Sequence, residues 1–272
     1  MIRAQEFFDL KNFTHNEIFS ATEGVWSALN SLPDYLGSFF REYWPLSGIS
    51  GHIHKPLVIH NSKVREDCEI KATGPKRTMQ AYFKGELIDA ASIIMPGVYL
   101  FDDRIIIGSG TVIEPGALIK GPAVFGDNTE IRQGAYVRGD CLVGDGCVVG
   151  HATEIKGSIM LDGAKAGHFA YIGDSILGMK VNLGAGTKLA NLRVIEGTIS
   201  IKSGKNRYNT HRRKLGAIIG DQTETGCNAV TSPGTLLGPH SIVYPCVAVP
   251  PGYYPGRTHF MSSQSSLRII NK

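Results

Sequence analysis

Every sixth residue from Ile107 onward is apolar: Ile107, Ile113, Ile119, Phe125, Ile131, Val137, Val143, Val149 and Ile155 follow in unbroken register. With 42% of the chain hydrophobic, chance yields such a run at one fixed phase with a probability of about 0.0004, so a repeat explains it better. Four places after each stands a mostly small residue: Thr111, Ala117, Ala123, Thr129, Ala135, Cys141, Cys147 and Thr153. A step of six is too short for a helical repeat and too regular for a meander. It fits an all-β solenoid, a parallel β-helix in which each step is one short strand and a corner. The large residue then fills a narrow core and the small one fits beside it. The 33 glycines suit a chain that turns every six residues.

Residues 1–48 lack this pattern and form an N-terminal segment of their own. Ile18, Val25, Trp26, Leu29, Leu32, Leu36 and Phe39 fall at nearly helical spacing. Thr14 with Glu17 reads as a capping box, and Pro33 as the end of one helix and the start of another. Trp26, Phe39, Phe40 and Trp44 are too many aromatics for a free surface. The segment is expected to be a helical cap on the end of the solenoid, or a docking surface for another protein. The solenoid itself is expected over residues 49–255. Its register begins at Val58, Val64 and Ile70, with Ser62 and Cys68 at the small positions, and breaks at an inserted hairpin or loop of about 74–92 that carries Lys76, Arg77 and Lys84. Ile155 to Met160 and Ile172 to Leu177 are steps of five. A shortened side reshapes a corner, and reshaped corners often hold function. A second interruption, about 192–216, contains Arg193, Lys202, Lys205, Arg207, His211, Arg212, Arg213 and Lys214, which make either a solvated face or an anion-binding loop. The register returns at Ile219, Thr225, Thr231, Leu237, Val243 and Val249. A tail of about 256–272 is expected to be loosely ordered or packed on a neighbouring subunit.

The net charge of +4 suits anionic small molecules, and no long Lys/Arg stripe with interleaved aromatics points to nucleic acid. The five cysteines include no CxxC pair, so neither a zinc knuckle nor a disulfide framework is indicated. Cys141 and Cys147 take small core positions and read as buried thiols in a reducing compartment. With no cationic leader followed by an apolar run, and no apolar stretch of about eighteen residues, no membrane association is expected, and the chain reads as cytoplasmic.

Three steps of six close one triangular coil, so residues about eighteen apart stack on neighbouring coils. Val149 to Ala166 is three steps. His151 and His168 each stand two places after a register residue and should lie one above the other at one corner. Glu154 and Lys156 are on the next side, with Arg138 one coil back. A histidine beside a carboxylate can act as a general base while Lys and Arg hold an anion. Two stacked histidines, joined by a third from another chain, can bind zinc as in β-helical carbonic anhydrases. Both can also simply hydrogen-bond at the surface.

The stretches His151-Ala-Thr-Glu-Ile-Lys156, Lys165-Ala-Gly-His168-Phe-Ala-Tyr171-Ile-Gly-Asp174 and Val181-Asn182-Leu-Gly-Ala-Gly-Thr187 resemble the C-terminal acetyltransferase domain of the bifunctional glucosamine-1-phosphate acetyltransferase / N-acetylglucosamine-1-phosphate uridylyltransferase. Arg212-Arg-Lys-Leu-Gly-Ala-Ile-Ile-Gly-Asp221 looks more like the archaeal-type sugar-1-phosphate nucleotidylyltransferase/acetyltransferase. The resemblance spans about residues 50–255. It implies a left-handed parallel β-helix, a homotrimer, and acetyl-CoA bound between subunits as co-substrate, with no bound metal. It implies N-acetylation of an amino-sugar phosphate, glucosamine 1-phosphate first among them, in nucleotide-sugar biosynthesis. By this resemblance His168 is the general base, with Glu154 beside it in an orienting or electrostatic role. Arg138, Lys156, Tyr171 and Asn182 contact the sugar phosphate. Asn191 lies near the acetyl group, and Ala185 belongs to the segment whose backbone meets the cofactor. Two departures stand out. Leu192 replaces a tyrosine of the bacterial pattern, and the single downstream phosphate lysine has no aligned equivalent, a role that Arg212, Arg213 and Lys214 are expected to fill. No Gly-rich phosphate loop follows a first strand, so no nucleotidyl transfer is expected. A separate nucleotidyltransferase is then a candidate partner. The competing reading is a non-catalytic trimeric sugar-phosphate-binding or scaffold protein related to UDP-N-acetylglucosamine pyrophosphorylase.

Overall fold

The computed structural model describes residues 1–20, 23–42, 44–74 and 78–262; Lys76, Arg77 and the tail from 263 lie outside the described residues, and the part of the expected tail that is described, from 256, still adds a coil strand at His259–Phe260. The chain winds as a parallel β-helix with three faces, built as sheets of eleven, nine and eight strands. Face I runs from Ser92–Ile94 through Val148–His151 and Lys165–His168 to His259–Phe260. Face II runs from Tyr99–Leu100 through Glu154–Lys156 and Tyr171–Gly173 to Ala248–Val249. Face III runs from Ile105–Ile107 through Ser158–Met160 to Gly252–Tyr254. The all-β solenoid read from the repeat is therefore the fold. From Ile113 to Ile155 each register residue is at most 1% exposed, and so is each small residue from Thr111 to Thr153. Ile107 packs on the same core from its rim.

Polar core residues find partners along the stack. The Thr129 hydroxyl donates to the Gly144 carbonyl at 2.9 Å and accepts the Cys147 N–H at 3.1 Å, as buried polar groups generally do; the buried Thr231 hydroxyl is an exception, with no partner among the described residues. The corner between faces III and I carries a ladder the six-residue pattern does not reveal. Asp127 accepts the Ser109 N–H (2.7 Å), Asp145 that of Asp127 (2.7 Å), and Asp162 that of Asp145 (2.9 Å). Gly126 belongs to this device: a Cβ there would collide with Asp145 Oδ1.

The early register is a correction. Val58, Val64 and Ile70 lie on antiparallel strands, Leu57–His60, Lys63–Arg65 and Glu69–Thr73. An antiparallel strand alternates with period two, and six is a multiple of two, so a hairpin mimics the coil spacing. Glu69–Thr73, Thr78–Phe83 and Glu86–Ile88 form a three-stranded sheet, so the excursion expected near 74 starts earlier.

The N-terminal helix also differs from expectation. One α-helix, α1 (Ala28–Ser38), contains Pro33, and the short 3₁₀ turn Asn16–Phe19 has His15, not Thr14, before it. Pro33 removes one backbone donor, yet Leu29, Leu32 and Leu36 are buried on the inner face, and tertiary packing holds the helix through the proline. Up to Phe39 the segment covers a flank of the solenoid rather than its end. Phe7, Phe13, Trp26, Leu32 and Leu36 share a core with Val124, Leu142, Ile159, Ile176, Ile218 and Leu236 of face III. Those outward face III residues are apolar and require a cover. Trp44, Leu46 and Ile49 instead pack at the first coil, with Trp44 Nε1 donating to the Asp103 carbonyl at 2.8 Å. Among the described residues no helix is long and apolar enough to cross a membrane.

Asp221 ties the flanking segment to the coils, accepting the Asp9 N–H at 2.8 Å and the Met179 N–H at 2.7 Å. Burial pushes its carboxyl above the ordinary 3.8, while the two N–H groups pull it back. A carboxyl raised in the folded state binds its proton more tightly there. Its contribution is present below the unfolded value and is lost as pH rises through the raised one. Thermal melts of wild type and Asp221→Asn should therefore shift in favour of wild type as the pH is lowered from neutral toward 3.8. A pH-independent difference would contradict the raised pKa.

Candidate functional site

Two coils of seventeen residues build the site. Val143, Met160 and Leu177 stack on face III, and His151 lies opposite His168 on face I. The stacking of the two histidines is thus as the spacing predicted. The missing residue, however, is at the corner between faces II and III, where Gly157 and Asp174 lie. The histidines turn the corner between faces I and II. His151 Nδ1 is 2.9 Å from the Gln133 carbonyl. His168 is exposed, and its ring has no hydrogen-bond partner among the described residues. Between them projects Phe169, 56% exposed and at φ 54°, its ring edge-on to His151 at 5.2 Å.

Past this corner, face II presents the charged residues. Glu154 lies opposite both Tyr136 and Tyr171. Its Oε1 accepts Arg138 Nη1 at 2.6 Å, and this bond raises the Arg138 pKa. Glu154 is thus engaged by Arg138 rather than by His168 in a single chain. Lys156 Nζ donates to Asp174 Oδ2 at 2.8 Å. Asn191 Nδ2 donates to the same oxygen, and the Tyr171 hydroxyl donates to Asn191 Oδ1 at 3.3 Å. The Arg212 guanidinium is 3.6 Å from Asp174 Oδ1; burial lowers its pKa and Asp174 opposes the shift. Gly173 leaves the room for this: a Cβ there would lie 2.7 Å from both Asn191 Nδ2 and the Tyr171 hydroxyl.

Arg138, Glu154, Lys156, Tyr171, Asn191 and Arg212 are therefore linked along face II, with His168 at the face I end of that side and Asp174 at the face III end. Ala185 follows on the next coil, where the Gly186 N–H donates to the His168 carbonyl at 3.0 Å. Asn182 sits on face I opposite Lys165, outside this network. Arg213 is turned to Glu196 at 3.9 Å, and Lys214 bridges Leu192. Of the three cations expected to replace one lysine, only Arg212 joins the network, and it does so as a partner of Asp174. Asp174 is the hub that the sequence reading left without a role. Its signal was its phase, one coil after Gly157 and two after Asp140.

Residues 119–207 match the family described as GMPPB C-terminal domain. The chain is 40% identical over 98 residues to the bifunctional sugar-1-phosphate nucleotidylyltransferase/acetyltransferase of Sulfurisphaera tokodaii, covering 36% of this chain and 24% of that protein. It is 36% identical over 162 residues to the bifunctional protein GlmU of Methanococcus maripaludis, covering 60% and 39%. The chain thus spans well under half the length of these curated relatives. The likeness read from the histidine-bearing stretches, to an acetyltransferase-like C-terminal domain of hexapeptide-repeat type, holds. A solved structure, UDP-N-acetylglucosamine acyltransferase from Campylobacter jejuni, matches at 18% identity with a TM-score of 0.35, covering 60% of this chain and 69% of that one.

Side chains of Lys156, Asp174 and Arg212 are 21%, 10% and 17% exposed. Asp174→Asn keeps the left-handed backbone that Asn tolerates but leaves two cations without their counter-ion. Chemical denaturation should show a loss of about 2–3 kcal/mol, below the full cost of breaking a buried pair because water still reaches Lys156. An unchanged midpoint would mean that the hub is not structural.

Proposed function

We propose that this chain is an acetyl-CoA-dependent N-acetyltransferase acting on an amino-sugar phosphate, with glucosamine 1-phosphate as the first candidate. The observation that carries the reading is His168, exposed and without a hydrogen-bond partner among the described residues, at the edge of a face where the cations Arg138, Lys156 and Arg212 meet the carboxylates Glu154 and Asp174. The sugar amine approaches His168 Nε2 or Nδ1, and the cations draw its phosphate onto face II. His168 takes a proton as the amine nitrogen attacks the thioester carbonyl. The N–C bond forms, the C–S bond breaks, and the proton is available to the departing thiolate. Holding both reactants in line supplies much of the acceleration.

Acetyl-CoA is a substrate here, and the fold offers it a path. Gly150, Gly167, Gly184 and Gly226 stand immediately before His151, His168, Ala185 and Cys227 on successive coils. At Gly150, Gly184 and Gly226 a Cβ would strike the next coil, so these glycines let the coils approach closely beside the histidine corner, along which an extended thioester arm is proposed to lie. Asn182 and Ala185 border that path. A homotrimer places a neighbouring chain against it, in keeping with the prevalence of closed symmetric oligomers.

Thiol release from acetyl-CoA with glucosamine 1-phosphate tests the reaction. His168→Ala should lower kcat by about 100- to 10,000-fold, the range for a positioned general base, with acetyl-CoA binding nearly intact. His151→Ala should cost far less. A zinc site predicts instead that both substitutions abolish activity together with bound metal, and a scaffold predicts no release from wild type. Static light scattering should give roughly three times 29.4 kDa; a monomer at micromolar concentration would remove the shared cofactor site.

A further inference from the structure

Face II does not stop being a binding surface at Arg138. Two outward columns run back from the site toward the first coil. One holds Tyr99, Leu118, Tyr136, Glu154 and Tyr171, each opposite the next. The other carries Lys120 opposite Arg138, with Phe101 bonded through its N–H to the Ile119 carbonyl on the coil below Lys120. Tyr99 is 42% and Phe101 58% exposed, their rings 6.3 Å apart. Lys120 Nζ lies 4.5 Å from the Phe101 ring centre and 5.6 Å from that of Tyr136, and Arg138 Cζ is 5.8 Å from Tyr136. Arg138 and Lys156 each have a carboxylate partner. Lys120 has none among the described residues; Asp102, next to Phe101 in the chain, accepts the Gly121 N–H and pairs with Arg104.

Coils repeat every 4.8 Å or so. With its amine at His168, an amino sugar 1-phosphate reaches Lys156 and Arg138. Lys120 and the exposed rings lie about 5 and 10 Å farther along the same face, beyond the reach of a single phosphate. A cation without a carboxylate partner, followed by exposed aromatic rings of which Phe101 has Lys120 over one face, is the arrangement that takes a second phosphate and then a flat base on the remaining ring surface, since stacking on aromatic rings accepts any base. We infer that face II from Arg138 to Phe101 is a nucleoside-diphosphate site continuous with the amine end, so that the acceptor is a nucleotide-linked amino sugar rather than a free sugar 1-phosphate. The amine end of this assignment rests on the acyl-transfer reading above; the nucleotide end rests on the two columns alone.

Isothermal titration with UDP, GDP and inorganic pyrophosphate reads the nucleotide end directly, without catalysis. Either nucleotide should bind about tenfold more tightly than pyrophosphate. Phe101→Ala, at an exposed position that leaves the core untouched, should remove that advantage while pyrophosphate affinity holds. Lys120→Ala should weaken all three. Equal affinities for nucleotide and pyrophosphate, or nucleotide binding insensitive to Phe101→Ala, would overturn the inference; so would a wild type that binds neither nucleotide because another copy of the chain covers these rings. Thiol release then separates the two readings. A higher kcat/KM for UDP-glucosamine than for glucosamine 1-phosphate supports both, and a lower or equal value sinks the nucleotide-linked acceptor while leaving acyl transfer in place. Nucleotide binding lost on Phe101→Ala, with no thiol release from either acceptor, would retain the nucleotide site and remove the acyltransferase.

Discussion

The backbone hydrogen bonds between successive coils fix the position of every other group. They lock each residue over its counterpart on the next coil, seventeen or eighteen places away through the site, and the period-two alternation of a strand then decides which side chains enter the core. A slip of one residue would turn the core outward, so the register cannot drift. The same constraint assembles the site. His151 and His168, or Arg138 and Lys156, are distant in sequence and adjacent in space because one coil separates them. Nothing in the loops had to be arranged to bring them together.

The repeat was legible because a three-faced core admits one large and one small residue per side, and few sequences satisfy that by accident. It misled at Val58, Val64 and Ile70 because an antiparallel hairpin shares the factor of two. The helix limits were hidden for a different reason. Around Pro33 the chain is held by what Leu29, Leu32 and Leu36 pack against, and local propensity carries no record of face III. The outward apolar residues of face III, Val124, Leu142, Ile159 and Ile176, were visible as residues that no core position required; they were the signal that a flank, not an end, needed covering.

At the site, phase along the coil placed His168, His151, Glu154, Lys156 and Arg138 correctly. Pairing could not be read the same way. That Glu154 holds Arg138 depends on side-chain reach between neighbouring strands of face II, and that Asp174 gathers Lys156, Asn191 and Arg212 depends on reach at a corner shortened by one residue. Arg212 comes to it from a hairpin excursion (Ser200–Ser203 and Asn206–Asn209) whose return path no periodicity describes. Cationic side chains in such an excursion look alike in sequence, and only the fold distinguishes Arg212, drawn inward, from Arg213, which faces solvent.

A stack of parallel strands is its own template, since the outermost coil offers the next molecule the same row of donors and acceptors it offers its own neighbour. At the first coil this chain reverses direction: Gly51–His52 runs antiparallel to Tyr99–Leu100, and Leu57–His60 antiparallel to Ser92–Ile94. Head-to-tail fibre growth needs a parallel edge in matching phase. Gly51–His52, the outermost strand of face II, presents the wrong polarity to an incoming coil, and Trp44 and Leu46 pack on the same core. On face II the irregular start of the solenoid thus acts as a chain terminator in the polymer sense, in a fold that could otherwise add coils indefinitely.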